Sequence, residues 1–344
     1  MYSLNETSKL NLKQVLNNSG LVIFGSNGAL GRSFAVALQW YNINPKYIIL
    51  VSRQTNPAPE WIPLSDRVTH LVNNDTRQSI SKVSKLVQEN GFQYTLIYGS
   101  GYGQPKKFMA DSHALIQSSV VDYHYAISHL PQPKFVAYMS TAEVYNGNNL
   151  LAVESTNPII NSNHPRAIYL ASKLLGEALT FTRFADTDTR ACCYRVALAF
   201  SPSLIDGDSR VLSDLLRGAI TSKRVTLNGG SQLMRQYQYG PNAAIQILSS
   251  LVNGRSLLYN CAGSHKLSLG DLASMIAELT SSSLEINSNL EDSSSQNSVN
   301  VSYCLVNDEA GIISHSECEL SDYLRLVLNI GALSMCISGT LSDQ

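Results

Sequence analysis

The chain has 344 residues, enough to bury a large core as one α/β domain or as a main domain with a smaller lobe. Its 25 Lys and Arg balance 26 Asp and Glu with no basic stripe interleaved with aromatics, which argues against a nucleic-acid partner. Residues 1–20 are polar, unlike a signal peptide, and no run reaches the roughly 18 apolar residues that would span a bilayer.

The first half alternates short apolar runs with longer helical patterns, which predicts βαβ units and a parallel sheet. Strands are expected over residues 21–24, 47–51, 69–72, 95–98 and 135–139, and one long strand over 192–200. Helices are expected over 30–41, 110–130 and 169–184. The strands are continuous apolar runs, as when helices cover both sheet faces. After Ser201 the texture changes. Residues 211–220, 243–252 and 268–279 read as helices, with short strands over 224–227 and 257–259. Residues 281–300, rich in Ser and Asn, read as a loop or irregular edge, and 319–328 as a final helix. The division is a dinucleotide-binding part over residues 1–200, to which later segments return, and a mainly substrate-binding lobe over 201–344. The six cysteines lack Cys-x-x-Cys spacing and read as buried or free thiols of a reducing cytoplasm. The histidines are scattered and form no His-x-x-x-His pair, so no metal is expected.

Gly25-Ser26-Asn27-Gly28-Ala29-Leu30-Gly31 follows the first strand directly and opens the first helix. Gly25 allows a tight turn, Gly28 a close approach to a pyrophosphate, and Gly31 close helix–strand packing, with the helix N-terminus offering amides to the anion. The alternative is an ordinary glycine-rich loop. The second strand ends Val51-Ser52-Arg53, where an acidic residue would hold a ribose 2′-hydroxyl. Ser52 and Arg53 instead suit a 2′-phosphate, which favours NADP over NAD, unless Arg53 is a surface arginine. Asp75 is either an acceptor for the adenine amino group or a turn residue, and Ser100 joins the cofactor-contact candidates.

Tyr169-Leu170-Ala171-Ser172-Lys173 places a phenol and an ammonium four apart, on one helix face. A free tyrosine titrates near pH ~10 and is a poor base at neutral pH. A lysine cation beside it favours the phenolate. Alone the pattern is weak. Its company is the glycine turn and Ser140-Thr141 at the end of an apolar strand.

The glycine turn, Ser140-Thr141-Ala142-Glu143-Val144-Tyr145 and Tyr169-x-x-x-Lys173 together resemble the extended short-chain dehydrogenase/reductase family, in its nucleotide-sugar epimerase/dehydratase branch. Glu154, Lys173-Leu174-Leu175-Gly176-Glu177, Arg195, Asp208-Ser209-Arg210-Val211, the Gly229 to Arg235 segment and Tyr259-Asn260 extend the likeness. It implies a Rossmann-type doubly wound parallel sheet with a smaller C-terminal α/β substrate lobe. It also implies a mechanism in which Tyr169 takes a proton from a sugar hydroxyl as hydride moves to the nicotinamide. Lys173 lowers the Tyr169 pKa and holds the nicotinamide ribose, and Thr141 fixes the same oxygen. Arg210 and Arg235 grip the substrate, unless each is a surface ion pair. Glu143 stands where dehydrating relatives and a related decarboxylase carry a carboxylate, while Ala142 removes the first acid of the dehydratase pair. Val196, Leu198 and Ser201 depart from the family pattern, as do Pro241-Asn242 and Asn146, so the pocket is reshaped.

The leading expectation is NAD(P)-dependent modification of a nucleotide-linked sugar through a 4-keto intermediate, by epimerization, dehydration or decarboxylation. An NADPH-dependent 4-keto-sugar reductase is the second reading and a non-catalytic dinucleotide sensor the third. The resemblance also implies a homodimer through the helices over 110–130 and 169–184.

Overall fold

The computed structural model describes residues 3–145, 152–287, 313–314 and 318–328. In chain order the first elements are β1 (Ser3–Leu4), α1 (Glu6–Leu16), β2 (Gly20–Phe24), α2 (Ala29–Trp40), β3 (Ile48–Ser52), β4 (Val68–Val72), α3 (Thr76–Asn90) and β5 (Tyr94–Tyr98). Then come α4 (Pro105–Ala110), α5 (Ser112–Ile116), α6 (Asp122–His129), β6 (Phe135–Thr141), α7 (Ala167–Phe184), β7 (Arg190–Val196) and β8 (Leu198–Phe200). The remainder comprises α8 (Val211–Ser222), β9 (Arg224–Asn228), β10 (Met234–Tyr239), α9 (Gly240–Asn253), β11 (Leu258–Cys261), β12 (His265–Ser268), α10 (Leu269–Thr280), β13 (Ser283–Asn287), β14 (Ile313–Ser314) and α11 (Leu320–Leu328).

Seven strands form one parallel sheet in the order β11-β7-β6-β5-β2-β3-β4. This is the Rossmann-type doubly wound sheet expected. Apolar side chains fill both faces. Leu12, Phe34, Leu38, Ile245 and Leu248 from α1, α2 and α9 cover one; Val83, Tyr123, Ile127 and Phe184 from α3, α6 and α7 cover the other. A separate cluster of Leu215, Leu216, Ile276, Tyr323 and Leu324 gathers α8, α10 and α11 beside β9 and β10.

Several elements differ from the sequence expectation. The strand expected over 192–200 is two strands in two sheets. β7 stays in the large sheet, whereas β8 joins β10 in a three-stranded sheet with β12. The long helix expected over 110–130 is broken at Asp111, whose extended backbone and carboxylate cap α5 through the Ala114 amide, and again by a π-helical turn at Gln117–Val121. In the segment 281–300, Ser283–Asn287 is a strand parallel to β9, and the rest lies outside the described residues. Asn146 lies outside them too. Helices α1 and α3 carry only narrow apolar stripes (Ile80, Val83 and Val87 in α3) and are additions to the expected set. Cys192, Cys193 and Cys261 are buried free thiols as expected, whereas Cys318 is disulfide-bonded, against the expectation that all six cysteines are buried or free thiols.

The strand order reverses between β2 and β5, and crevices at such points receive ligands in open α/β sheets. There the glycine turn joins β2 to α2. Gly25 has φ +83°, and a Cβ on it would sit 2.6 Å from the Gly99 carbonyl oxygen. A Cβ on Gly31 would lie 2.4 Å from the carbonyl oxygens of both Gly25 and Ser26. The start of α2 therefore rests directly on turn backbone. Gly31→Ala is expected to cost about 1–3 kcal/mol by overpacking and to displace the turn. Thermal unfolding with dinucleotide titration checks this; unchanged melting and binding would show that the turn yields freely.

Candidate functional site

A cleft of about 950 Å³ runs from the glycine turn, past the ends of β3, β5 and β6, to Asp206, Asp208 and Arg210. Gly25, Asn27, Gly28, Ala29, Leu30, Gly31, Ser52, Arg53, Asp75, Ser100, Thr141, Glu143, Tyr169 and Arg210 all line it. Lys173 and Arg235 do not.

At the glycine end, Gly28 caps α2 without any side-chain hydrogen bond to the first turn. The first amides of α2 are thus left for an anion, as a pyrophosphate requires. The Asn27 side chain is committed to protein: its Nδ2 donates to the Asn56 carbonyl at 2.8 Å and its Oδ1 accepts from the Ala58 amide at 2.9 Å. At the end of β3, Ser52 Oγ meets His70 Nε2 at 2.9 Å. Arg53 lies over the Tyr102 ring, 4.9 Å from its centroid, and donates to the Tyr102 hydroxyl at 3.1 Å. Asp75 caps α3 by accepting from the Gln78 amide at 3.0 Å, so it has a structural task besides any ligand contact. These groups fit a dinucleotide.

At the other end, β6 delivers Ser140 and Thr141 to opposite sides. Ser140 Oγ donates to Glu177 Oε1 at 2.5 Å, while Thr141 Oγ1 accepts from the Glu143 amide at 3.3 Å beside Tyr169. Tyr169 packs its ring flat on Phe108, with centroids 4.4 Å apart. Burial pushes its phenol far above the ordinary range, and the Glu143 carboxylate adds to this. A hydrogen bond with Thr141 and the charges of Arg166 and Arg210 oppose the rise. Lys173, expected to lower this phenol, is not among the groups that shift it; the lowering comes from Thr141, Arg166 and Arg210. Lys173 Nζ is buried behind the strand end and donates to the Met139 carbonyl at 2.9 Å. Burial lowers its pKa from 10.5 to about 8, against the pull of Glu177.

Behind this end lies a buried network. Arg195 Nε and Nη2 donate to the two oxygens of Glu177 at 3.0 and 2.8 Å, and its Nη1 donates to the Tyr145 hydroxyl at 2.7 Å. Tyr145 donates onward to Asn260 Oδ1 at 2.8 Å, and the Asn260 amide donates to Glu154 Oε1 at 2.8 Å. Glu154, Glu177, Arg195 and Asn260 of the quoted motifs are thereby one structural unit.

Two further cations differ in placement. Arg210 forks onto Asp208, with Nη2 2.6 Å from Oδ2. Burial would raise Asp208, but the Arg210 hydrogen bonds and charge, helped by Ser213, hold it below its ordinary value. Arg235 donates to the Met234 carbonyl at 2.8 Å on β10. Sequence reasoning missed Arg166, Phe108 and Tyr102. Arg166 stands three residues before Tyr169, one helical turn away, and that spacing was the available signal. Phe108 and Tyr102 carried none, since only the folded chain brings Tyr102 to the cleft and Phe108 against the Tyr169 ring. Among the described residues no group of three His, Cys, Asp or Glu side chains is placed to hold a metal ion, and no helix is long and apolar enough to cross a membrane.

The profile of the NAD dependent epimerase/dehydratase family matches residues 21–261. The chain belongs to that family. The matched span runs from β2 through β11 and so holds the glycine turn, Thr141, Tyr169 and Lys173. Among curated proteins, UDP-glucuronic acid decarboxylase 1 of Xenopus tropicalis is 27% identical over 112 residues, 33% of this chain and 25% of that protein. The match thus spans only a quarter of that relative. Among solved structures, UDP-glucuronic acid 4-epimerase from Bacillus cereus, in complex with UDP-glucuronic acid and NAD, superposes with a TM-score of 0.71. The identity is 15%, over 90% of this chain and 98% of that one. Epimerase Mth375 from Methanothermobacter thermautotrophicus gives a TM-score of 0.75 at 12% identity, over 94% and 95%. At these identities the likeness is one of fold.

The Lys173 value carries a sign. Its folded-state pKa lies below the unfolded one, so burial penalises the charged form. Stability should rise with pH between about 8 and 10.5, where the unfolded chain holds a proton that the folded one has released. Lysine-selective NMR of protein prepared without dinucleotide should show one ε-amine titrating near 8 that is missing in Lys173→Met. An ordinary lysine titration for that signal would contradict the burial argument.

Proposed function

We propose that this protein is an NAD(P)-dependent enzyme that modifies a nucleotide-linked sugar through a 4-keto intermediate. One observation carries the reading: Thr141, Glu143 and Tyr169 converge in the same cleft as the uncapped start of α2. The family and the relatives acting on or binding UDP-glucuronic acid support it.

The nicotinamide, when bound, supplies the acceptor and later the donor of hydride. The chain's own groups do the rest. Tyr169 exchanges the proton of the sugar hydroxyl at carbon 4, and Thr141 holds that oxygen. Lys173, one turn along α7 and an ammonium below about pH 8, serves the nicotinamide ribose in this reading, although it does not line the cleft and its Nζ is held by the Met139 carbonyl. Glu143 addresses the proton on the carbon beside the ketone. Arg210 holds the diphosphate, and the nucleotide lies toward the lobe of α8, α10, β9 and β10, where Arg235 reaches it. In this reading residues 201–344 mainly serve the substrate.

Arg53 favours a second reading, reduction of a 4-keto sugar with NADPH. It stands at the cleft mouth on the β3 end, where a 2′-phosphate would lie. A homodimer through α7 and the 112–129 segment belongs to the reading as well. Ile168 and Leu175 on α7, with Ile116 and Val121, leave apolar side chains 43–48% exposed. We assign the protein to the cytoplasm on the same family ground.

Tyr169→Phe keeps the ring and its packing on Phe108 but removes the hydroxyl. Turnover of UDP-glucuronic acid or UDP-glucose should fall by roughly a hundredfold or more, while cofactor affinity survives. Near-normal turnover would remove Tyr169 from the chemistry, and dinucleotide binding without any turnover by the wild type would favour the sensor. For Arg53→Ala, paired titrations should show NADP weakened far more than NAD; equal losses would defeat the 2′-phosphate assignment and the reductase with it.

A further inference from the structure

Glu143 sits in the single helical turn Ala142–Tyr145 that follows β6. Its carboxylate is oriented from outside that turn, by Arg166, whose Nη1 donates to Oε1 at 2.8 Å. Its Oε2 is buried and has no hydrogen-bond partner. Arg166 is the cap residue of α7, one turn before Tyr169. Its own backbone is fixed: the amide donates to His164 Nδ1 at 3.1 Å, and the carbonyl accepts from the Leu170 amide at 3.0 Å. The guanidinium is 34% exposed and the carboxylate 24%. A pair this wet is worth about 0–1 kcal/mol, too little to be explained by stability. Its geometry is more informative. One oxygen of Glu143 is taken by Arg166 at the start of the helix that carries Tyr169, which leaves the other oxygen buried and unpartnered on a residue that lines the cleft.

We propose that Arg166 is a positioning residue for Glu143, holding it so that Oε2 addresses the carbon beside the transient ketone. The inference rests on the proposed 4-keto chemistry. In the step it serves, Oε2 takes the proton from that carbon. The C–H electron pair moves toward the ketone, whose oxygen becomes an enolate oxygen hydrogen-bonded by Tyr169 and Thr141. Return of the proton restores the ketone, with no net oxidation. Arg166 and Tyr169 share the start of α7, so carboxylate and phenol keep one spacing even if the 142–145 turn moves.

The test measures deuterium uptake into the sugar from heavy water, by mass spectrometry, with NAD and either UDP-glucose or UDP-glucuronic acid as probe. Uptake is normalised to the near-ultraviolet absorbance of the reduced nicotinamide. Glu143→Gln should lower the ratio by roughly a hundredfold, Arg166→Met by roughly tenfold to a hundredfold, and the double variant no further than Glu143→Gln alone. Arg166→Lys should recover part of the loss, since a single contact is to be replaced. Losses that add, or an Arg166→Met ratio equal to wild type, would overturn the proposal. A second measurement needs no turnover. Arginine-selective nitrogen NMR should show restricted Arg166 guanidinium rotation that is freed in Glu143→Gln; a signal unaffected by that change overturns the pairing. Failure of both probes to reduce the cofactor in wild type counts against the 4-keto reading instead, and the NMR result still decides the role of Arg166.

Discussion

The ion pair of Arg195 with Glu177 is the constraint on which the site depends. Both side chains are about 5% exposed, and the carboxylate is met by two parallel hydrogen bonds. A buried pair of this kind gains little over an apolar substitute, yet removing one partner costs about 3–5 kcal/mol by stranding the other charge. What it secures here is position. Glu177 is on α7, two turns beyond Tyr169 and one beyond Lys173. Arg195 is on β7, Ser140 on β6, and Tyr145 belongs to the turn that carries Glu143. Through Asn260 the network reaches β11. The helix with the phenol, the strand with Thr141 and the turn with the carboxylate are therefore locked to one point. A shift of any of them breaks a hydrogen bond of this network.

Burial also sets the electrical character of the reacting end. It raises the Tyr169 phenol and lowers the Lys173 amine, so both groups are pushed toward their neutral forms. Burial opposes the phenolate, and Thr141, Arg166 and Arg210 are the groups that favour it. Glu143 strengthens the bias against the phenolate by placing a carboxylate beside the phenol, and Arg166 and Arg210 weaken it. The balance at Tyr169 is thus held by groups from three segments. Each cation already has a carboxylate of its own: Arg166 has Glu143, and Arg210 has Asp208.

Much of this was legible in the sequence wherever backbone geometry dictates residue type. The glycine turn could be read because only glycine tolerates φ +83° at Gly25 and backbone oxygens 2.4 Å from a Cβ at Gly31. The strands of the large sheet could be read because both faces are covered and the runs are continuously apolar. The missed parts depend on tertiary partners. Residues 192–200 look like one strand, since nothing local says that the chain leaves one sheet at Ala197 for another. The break at Asp111 was hidden by the helical periodicity on either side of it. Asp75 was weighed as a ligand contact or turn residue, and its capping of α3 is what the fold adds. The Arg166–Glu143 contact spans 23 residues and forms only once β6 and α7 pack together.

The departure of the chain at Ala197 also bears on the pocket. Val196, Ala197, Leu198 and Ala199 all line the cleft, where the large sheet ends and the three-stranded sheet begins. Two of these positions, 196 and 198, depart from the family pattern. Leu198 is 37% exposed and puts an apolar side chain into the cleft lining. A leucine there gives the cleft an apolar surface with no hydrogen-bonding group. The polar groups lining the cleft with it are Glu143, Thr141 and Tyr169, and beyond them the Asp208–Arg210 pair. A low-dielectric wall facing them strengthens each of their hydrogen bonds, and raises the cost of any that is left unmade.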